Sequence, residues 1–112
     1  DFYGDTYEKS LAKEKFGLPI DSTVFLFFGN IKGYKGVFNL LTAFENLRRE
    51  RDDIYLIIAG RVEGENVMHE LTRRTSDGNI LFRPGFVQND EVTDYFSCAD
   101  LCVLPYESVL TS

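Results

Sequence analysis

A chain of 112 residues with 44% hydrophobic and 14% aromatic side chains has the material for one core and the length of one domain. Its net charge of −6 argues against a protein that holds nucleic acid or an anionic membrane through a general positive field, so any bound anion needs a local device. No apolar run approaches the roughly 20 residues that span a bilayer and no segment resembles a signal peptide, so the expected location is the cytoplasm.

In chain order, Asp5 or Thr6 is expected to cap a short helix that runs to about Phe16 and stops at Gly17 and Pro19. Thr23 to Phe28, TVFLFF, is apolar on both faces, as a strand covered by helices on both sides must be. From Gly36 to about Glu50 the residues Val37, Leu40, Leu41, Phe44 and Leu47 recur at helical spacing, and Arg48, Arg49 and Arg51 suit the negative end of that helix. Ile54 to Ala59 reads as a second two-face strand, ended by Gly60 and followed by a weaker helix from about Glu65 to Thr75. After the turn Asp77-Gly78-Asn79, Ile80 to Phe82 is shorter and flanked by Arg83 and Pro84, which suits a strand near the sheet edge. Asn89 or Asp90 starts a helix with Val92, Tyr95, Phe96 and Ala99 on one face, and Asp100 leads into the strand Leu101 to Leu104, stopped by Pro105.

Strands alternating with helices predict an α/β fold, a parallel sheet with flanking helices, whose winding would reverse between the first and fourth strands in the common Rossmann-like order 3-2-1-4. Ligands then belong beyond the carboxyl ends of the strands, between the first and fourth, with Gly29 to Gly36 on one wall and Pro105 to Ser112 on the other. The first of these, GNIKGYKG, combines three glycines, two lysines and a helix start, which favours a phosphate-bearing ligand. Its glycines at 29, 33 and 36 match neither the dinucleotide fingerprint nor the nucleotide-triphosphate loop. By itself the loop fits equally well a tight turn with solvated lysines.

Cys98 and Cys102 are too few for a disulfide framework and are expected to be buried free thiols. No metal site is expected, and His69, alone among charged neighbours, has no assigned role. Tyr55, Tyr95, Phe96 and the cluster Phe25, Phe27 and Phe28 read as core, Asp100 as a charge at a helix-strand junction, and Arg61, Glu63 and Glu65 as solvated charges.

Taken together, FLFFGNIKGYKGVFNLLTAFENL, LIIAG, NILFRPGFV, YFSCADLCVLPY and TS resemble, in the correct order from about Phe16 to Ser112, glycosyltransferase family 4, the group 1 glycosyltransferases. The resemblance implies the C-terminal, nucleotide-sugar-binding domain of a two-domain GT-B enzyme that transfers a sugar with retention and without a metal or other cofactor. It assigns Lys35 to the donor diphosphate, with Gly29 and Gly36 shaping the same loop. Asn30 stands where the family often has Arg, and Lys32 is a candidate for that second charge. Gly85, Phe86 and Val87 are assigned to the nucleotide base, and Thr111 falls near the first glutamate of the family's E-x7-E motif, with Ser112 beside it. Glu107 does not take that glutamate's place, and no catalytic residue is assigned.

Both chain ends look like cuts, so residues 1–112 are expected to be one donor-binding domain without its acceptor domain and C-terminal end, inactive by itself. The implied partners are a nucleotide-diphosphate sugar, an unidentified acceptor, a membrane touched peripherally by the full-length enzyme, and other copies of the chain at an exposed sheet edge. The reading from another class is a flavodoxin-like noncatalytic nucleotide-binding or signalling module. Its receiver form would need acidic residues at the ends of the first and third strands, where the chain has Gly29-Asn30 and Arg83-Pro84.

Overall fold

The structure, a computed structural model, describes residues 2–32 and 35–103. Four strands form one parallel sheet: β1 (Thr23–Phe28), β3 (Ile54–Gly60), β5 (Ile80–Pro84) and β6 (Leu101–Val103), in the order β5-β3-β1-β6. Counting only these four, the order is 3-2-1-4, one of the common orders that such an alternation allows. The winding direction reverses between β1 and β6.

Helices cover both faces of the sheet because β1 and β3 carry apolar residues on both. On one face Phe27, Leu56 and Ile58 pack with Val37, Leu41 and Phe44 of α2 (Lys35–Arg48) and Val67 and Leu71 of α3 (Glu65–Arg74). On the other, Val24, Leu26 and Ile57 pack with Ala12 of α1 (Phe2–Lys15) and Tyr95 and Cys98 of α4 (Asn89–Cys98). The fold is therefore a three-layer α/β structure, with α2 and α3 on one side and α1 and α4 on the other.

The element ends follow local chemistry. Helix α1 begins at Phe2 rather than at Asp5 or Thr6, since helix propensities of ordinary residues differ by only tenths of a kcal/mol and do not force a cap. It stops where expected: Leu18 N–H donates to Lys13 O at 2.8 Å and Gly17 N–H to Glu14 O at 3.0 Å, the paired bonds of a left-handed glycine cap. Helix α4 is started by Gln88 and Glu91, whose side chains cap each other's backbone N–H groups. Strand β5 runs on through Pro84, which an edge strand tolerates because no donor is needed on its open side.

Two further strands are too short to carry a sequence signal. After β1 and β3 the chain kinks and pairs again as β2 (Ile31–Lys32) and β4 (Val62–Glu63), with Ile31 opposite Val62 and Lys32 opposite Glu63. Ile31 and Val62 belong to the α2/α3 core.

Three apolar expectations need correction. Leu47 is 45% exposed, because at 100° per residue it lies about 80° around the helix from Val37, on the flank of the buried stripe. Phe96 is 41% exposed, since the buried face of α4 centres on Tyr95 and Cys98, although its ring still meets Phe28 at 5.1 Å. Cys102 is exposed, unlike Cys98, because β6 is an edge strand that the described helices leave uncovered.

The two thiols should therefore react differently. Burial pushes the Cys98 thiol up to about 11, and that of Cys102 is raised by the same cause while remaining accessible. Mass spectrometry after brief iodoacetamide treatment should find label on Cys102 in the native protein and on both thiols in urea. Labelling of Cys98 at the same native rate would contradict the packing of α4 against β1.

Candidate functional site at the carboxyl ends of the strands

Each of the three adjacent strands β1, β3 and β5 gives way at its carboxyl end to a glycine with positive φ: Gly29 at 135°, Gly60 at 133° and Gly85 at 115°. They are lateral neighbours. Phe28 is in register with Ala59, Gly29 N–H donates to Ala59 O at 3.1 Å, and Gly85 N–H donates to Gly60 O at 2.8 Å. The result is a row without side chains along the carboxyl edge of the sheet. Its closest approach is between Gly29 and Gly60, where a Cβ on Gly60 would lie 1.9 Å from Gly29 O.

Helix α2 starts beside this row. Gly36 sits over the Phe27 ring, with Cε2 at 3.9 Å from where its Cβ would be. The first turn holds no acidic residue, so the partial positive charge of its free N–H groups is not cancelled locally. Lys35 is the first residue of this helix. Lys32 is exposed on β2, and the register sets Glu63 opposite it.

The segment after β5 divides. Gly85 and Phe86 line an open cavity of about 380 Å³ with Arg61, Val62, Met68 and Pro84, and Phe86 is 81% exposed. Val87 instead packs against the α1/α4 core. Thus Gly29, Lys32, Lys35, Gly36, Gly85 and Phe86 share the carboxyl side of the sheet, and Val87 anchors the same segment from beneath. Thr111, Ser112 and the expected wall from Pro105 onward lie outside the described residues.

Sequence reasoning missed Gly60, Val62 and Met68 as parts of this edge, and put Arg61 on the same rim only as a solvated charge. Gly60 was visible only as the end of a strand, and its contact with Gly29 depends on lateral register. Arg61 was visible only as one of several loop charges.

The charge cluster around Asp100 lies at the opposite end of the sheet. Asp100 accepts from Val24 N–H at 2.8 Å, pairs with Lys9 and Lys13 at 3.0 Å each, and its own N–H donates to Val24 O at 2.8 Å. Lys13, buried, also donates to Ser22 O at 2.6 Å. This is a clasp joining α1, β1 and the start of β6, and it accounts for Asp100 as a junction residue. Among the described residues no group of three or more His, Cys, Asp or Glu is placed to hold a metal ion. No helix among them is long and apolar enough to cross a membrane.

A parallel sheet with helices on both faces and a reversal of winding between β1 and β6 defines a Rossmann-like α/β domain. The chain belongs to the glycosyl transferases group 1 family, whose sequence profile matches residues 8–109. It is 31% identical over 104 residues to a Bacillus subtilis (strain 168) protein named as the teichuronic acid biosynthesis glycosyltransferase TuaC, covering 93% of this chain and 24% of that one. It is 27% identical over 114 residues to the lipopolysaccharide 1,2-N-acetylglucosaminetransferase of Salmonella typhimurium, covering 93% and 30%. The crystal structure of the C-terminal domain of a group 1 family glycosyl transferase, LpcC of Francisella tularensis, shares the fold with a TM-score of 0.65 at 14% identity, over 84% of this chain and 51% of that one. The chain spans about a quarter to three-tenths of the length of these curated relatives.

Proposed function

We propose that this chain is the donor-binding part of a retaining GT-B glycosyltransferase of family 4, and that it holds a nucleotide-diphosphate sugar at the carboxyl edge of its sheet. The observation that carries the reading is the row Gly29, Gly60 and Gly85 beside the acid-free first turn of α2. A backbone without side chains lets a bulky ligand approach, and the helix start favours its diphosphate. In this reading Lys35 and the α2 N–H groups meet the charge of the leaving diphosphate, so that the transfer step needs no metal. Phe86 and the cavity beside Arg61 and Met68 receive the nucleoside, while Thr111 and Ser112, outside the described residues, are assigned to the donor through the family resemblance alone. Lys32, set opposite Glu63, is the weaker of the two candidate cations.

The acceptor belongs to another part of the full-length enzyme, and the isolated chain is expected to bind donor without turning it over. The open side of β6 would be filled in that enzyme by further sheet and would otherwise favour pairing between chains. Contact with a membrane, if the acceptor is a lipid-borne glycan, would be peripheral.

The test is calorimetric titration of the chain with UDP, GDP and ADP, compared with NAD and FMN. Saturable binding of at least one nucleoside diphosphate, weakened by salt, is the expected result. Preference for FMN or NAD would favour a flavodoxin-like or dinucleotide module and overturn the donor reading.

A further inference from the structure

We infer that Gly60, on the second strand of the sheet, is a positioning residue for the donor site: it sets where the backbone of the β1–α2 loop begins. The inference rests on the donor-binding reading above and adds to it a residue that acts on the site through Gly29 and Gly85. A Cβ on Gly60 would fall 1.9 Å from Gly29 O, 2.8 Å from Gly29 C and 3.1 Å from Gly29 N, all backbone atoms that cannot swing aside as a side-chain tip can. Nor is Gly29 free to retreat. Its N–H donates to Ala59 O at 3.1 Å, and Ile31 N–H donates to Arg61 O at 2.7 Å, so the residues on either side of Gly60 clamp the segment that a Cβ would push.

Gly60 also reaches the other half of the site. Its carbonyl accepts from Gly85 N–H at 2.8 Å, which ties the segment assigned to the nucleoside to the same backbone point. Gly60 is thus the joint between the two donor segments. The other glycines set it apart: around Gly17, Gly78 and Gly85 an added Cβ meets nothing within 4 Å. A substitution at Gly60 must shift Gly29, Gly85 or both, and a ligand held by two converging segments is sensitive to displacements of about 1 Å.

The experiment is a titration of the 15N-labelled chain with UDP, GDP and ADP, followed by amide shifts and calorimetry, on wild type, Gly60→Ala, Gly78→Ala and Leu71→Ala. Leu71 is fully buried on α3, so its truncation lowers stability without adding a Cβ to the Gly29–Gly60–Gly85 row. In the wild-type chain the Gly29, Gly60 and Gly85 amides should shift with one common Kd, while Gly17 and Gly78 stay in place. Gly60→Ala should raise that Kd on the order of tenfold or more. Leu71→Ala and Gly78→Ala, measured at a temperature where each is folded, should stay within about twofold of wild type.

Wild-type-like affinity in folded Gly60→Ala overturns the inference, as does an affinity loss in Leu71→Ala equal to that of Gly60→Ala. If Gly60→Ala does not fold, the wild-type shifts decide: silent Gly29 and Gly60 amides in a saturable titration overturn it, and joint movement supports it. The absence of saturable binding to wild type overturns the donor-binding reading, and this inference with it. Binding to wild type that Gly60→Ala leaves unchanged removes only the inference.

Discussion

Asp100→Ala should destabilise the fold by about 2 to 4 kcal/mol in urea denaturation, the largest loss expected from any single charge among the described residues. Removing the carboxylate leaves Lys13, whose side chain is only 4% exposed, with the Ser22 carbonyl but no counter-charge, and leaves Val24 N–H without its acceptor. A buried ammonium without a counter-charge is costly even when one carbonyl still accepts from it. The lower part of that range allows for the 30% exposure of the Asp100 side chain. The double variant Lys13→Met with Asp100→Ala should recover part of the loss, since a buried pair replaced by an apolar side chain is often close to neutral.

The same clasp predicts a pH dependence. Burial pushes the Asp100 carboxyl upward, but the Val24 N–H, Lys9 and Lys13 outweigh it and hold the group below its ordinary value of 3.8. A carboxylate with a lowered folded value contributes stability above its unfolded value and loses that contribution as pH falls through the folded one. The gap between wild type and Asp100→Ala should therefore be flat above about pH 5 and should shrink below the ordinary value of 3.8. A gap that stays constant into strong acid, or a variant within about 0.5 kcal/mol of wild type, would mean that Lys13 finds water or another partner.

How far the sequence discloses this molecule depends on the range of each signal. The four main strands and four helices are legible because apolar periodicity is a local property, whereas 3-2-1-4 is only one of the orders that right-handed crossovers allow. Periodicity tells which way a side chain faces but not how far the covering layer extends. For that reason Leu47, Phe96 and Cys102 read as core yet reach solvent. Strands of two residues, as in β2 and β4, have no period to detect.

The site shows the same division. Gly29 and Lys35 are legible in the loop between the first strand and the strongest helix, and Gly85 only through the family resemblance. Gly60 ends a strand just as visibly, but its steric hold on Gly29 comes from a register between residues about 30 positions apart, which no local pattern encodes. The Lys13–Asp100 pair, 87 positions apart, is equally invisible in the linear chain. Asp100 was readable as a junction charge, whereas its partner in α1 looked like one more helix lysine.

Lys35→Ala should weaken binding of UDP, or of whichever nucleoside diphosphate the chain prefers, by about tenfold or more while leaving the fold intact. The residue opens α2, at the helix end where free N–H groups already favour an anion. Loss of one charge-assisted contact there is worth roughly 1.5 to 3 kcal/mol, which sets the scale of the change in Kd. Stability should move the other way or not at all. A cation at a helix N-terminus opposes the macrodipole by a few tenths of a kcal/mol to about 1 kcal/mol, so removing it relieves a small repulsion. That opposition of signs is the useful feature of the experiment: a lysine retained for structure would lose stability on truncation, and one retained for a phosphate should lose affinity alone. Lys32→Ala should have the smaller effect on binding, because Glu63 stands opposite it across the β2–β4 pair and already offsets part of its field. Raising salt should narrow the gap between wild type and Lys35→Ala, because dissolved ions screen the attraction between opposite charges. Calorimetric Kd values at two ionic strengths, with melting curves for both variants, separate the readings. Unchanged affinity in Lys35→Ala would leave its ammonium a solvated charge and shift the search for the diphosphate contact to the backbone of the α2 start. A fall in melting temperature of Lys35→Ala larger than that of Lys32→Ala, with no change in Kd, would make it structural.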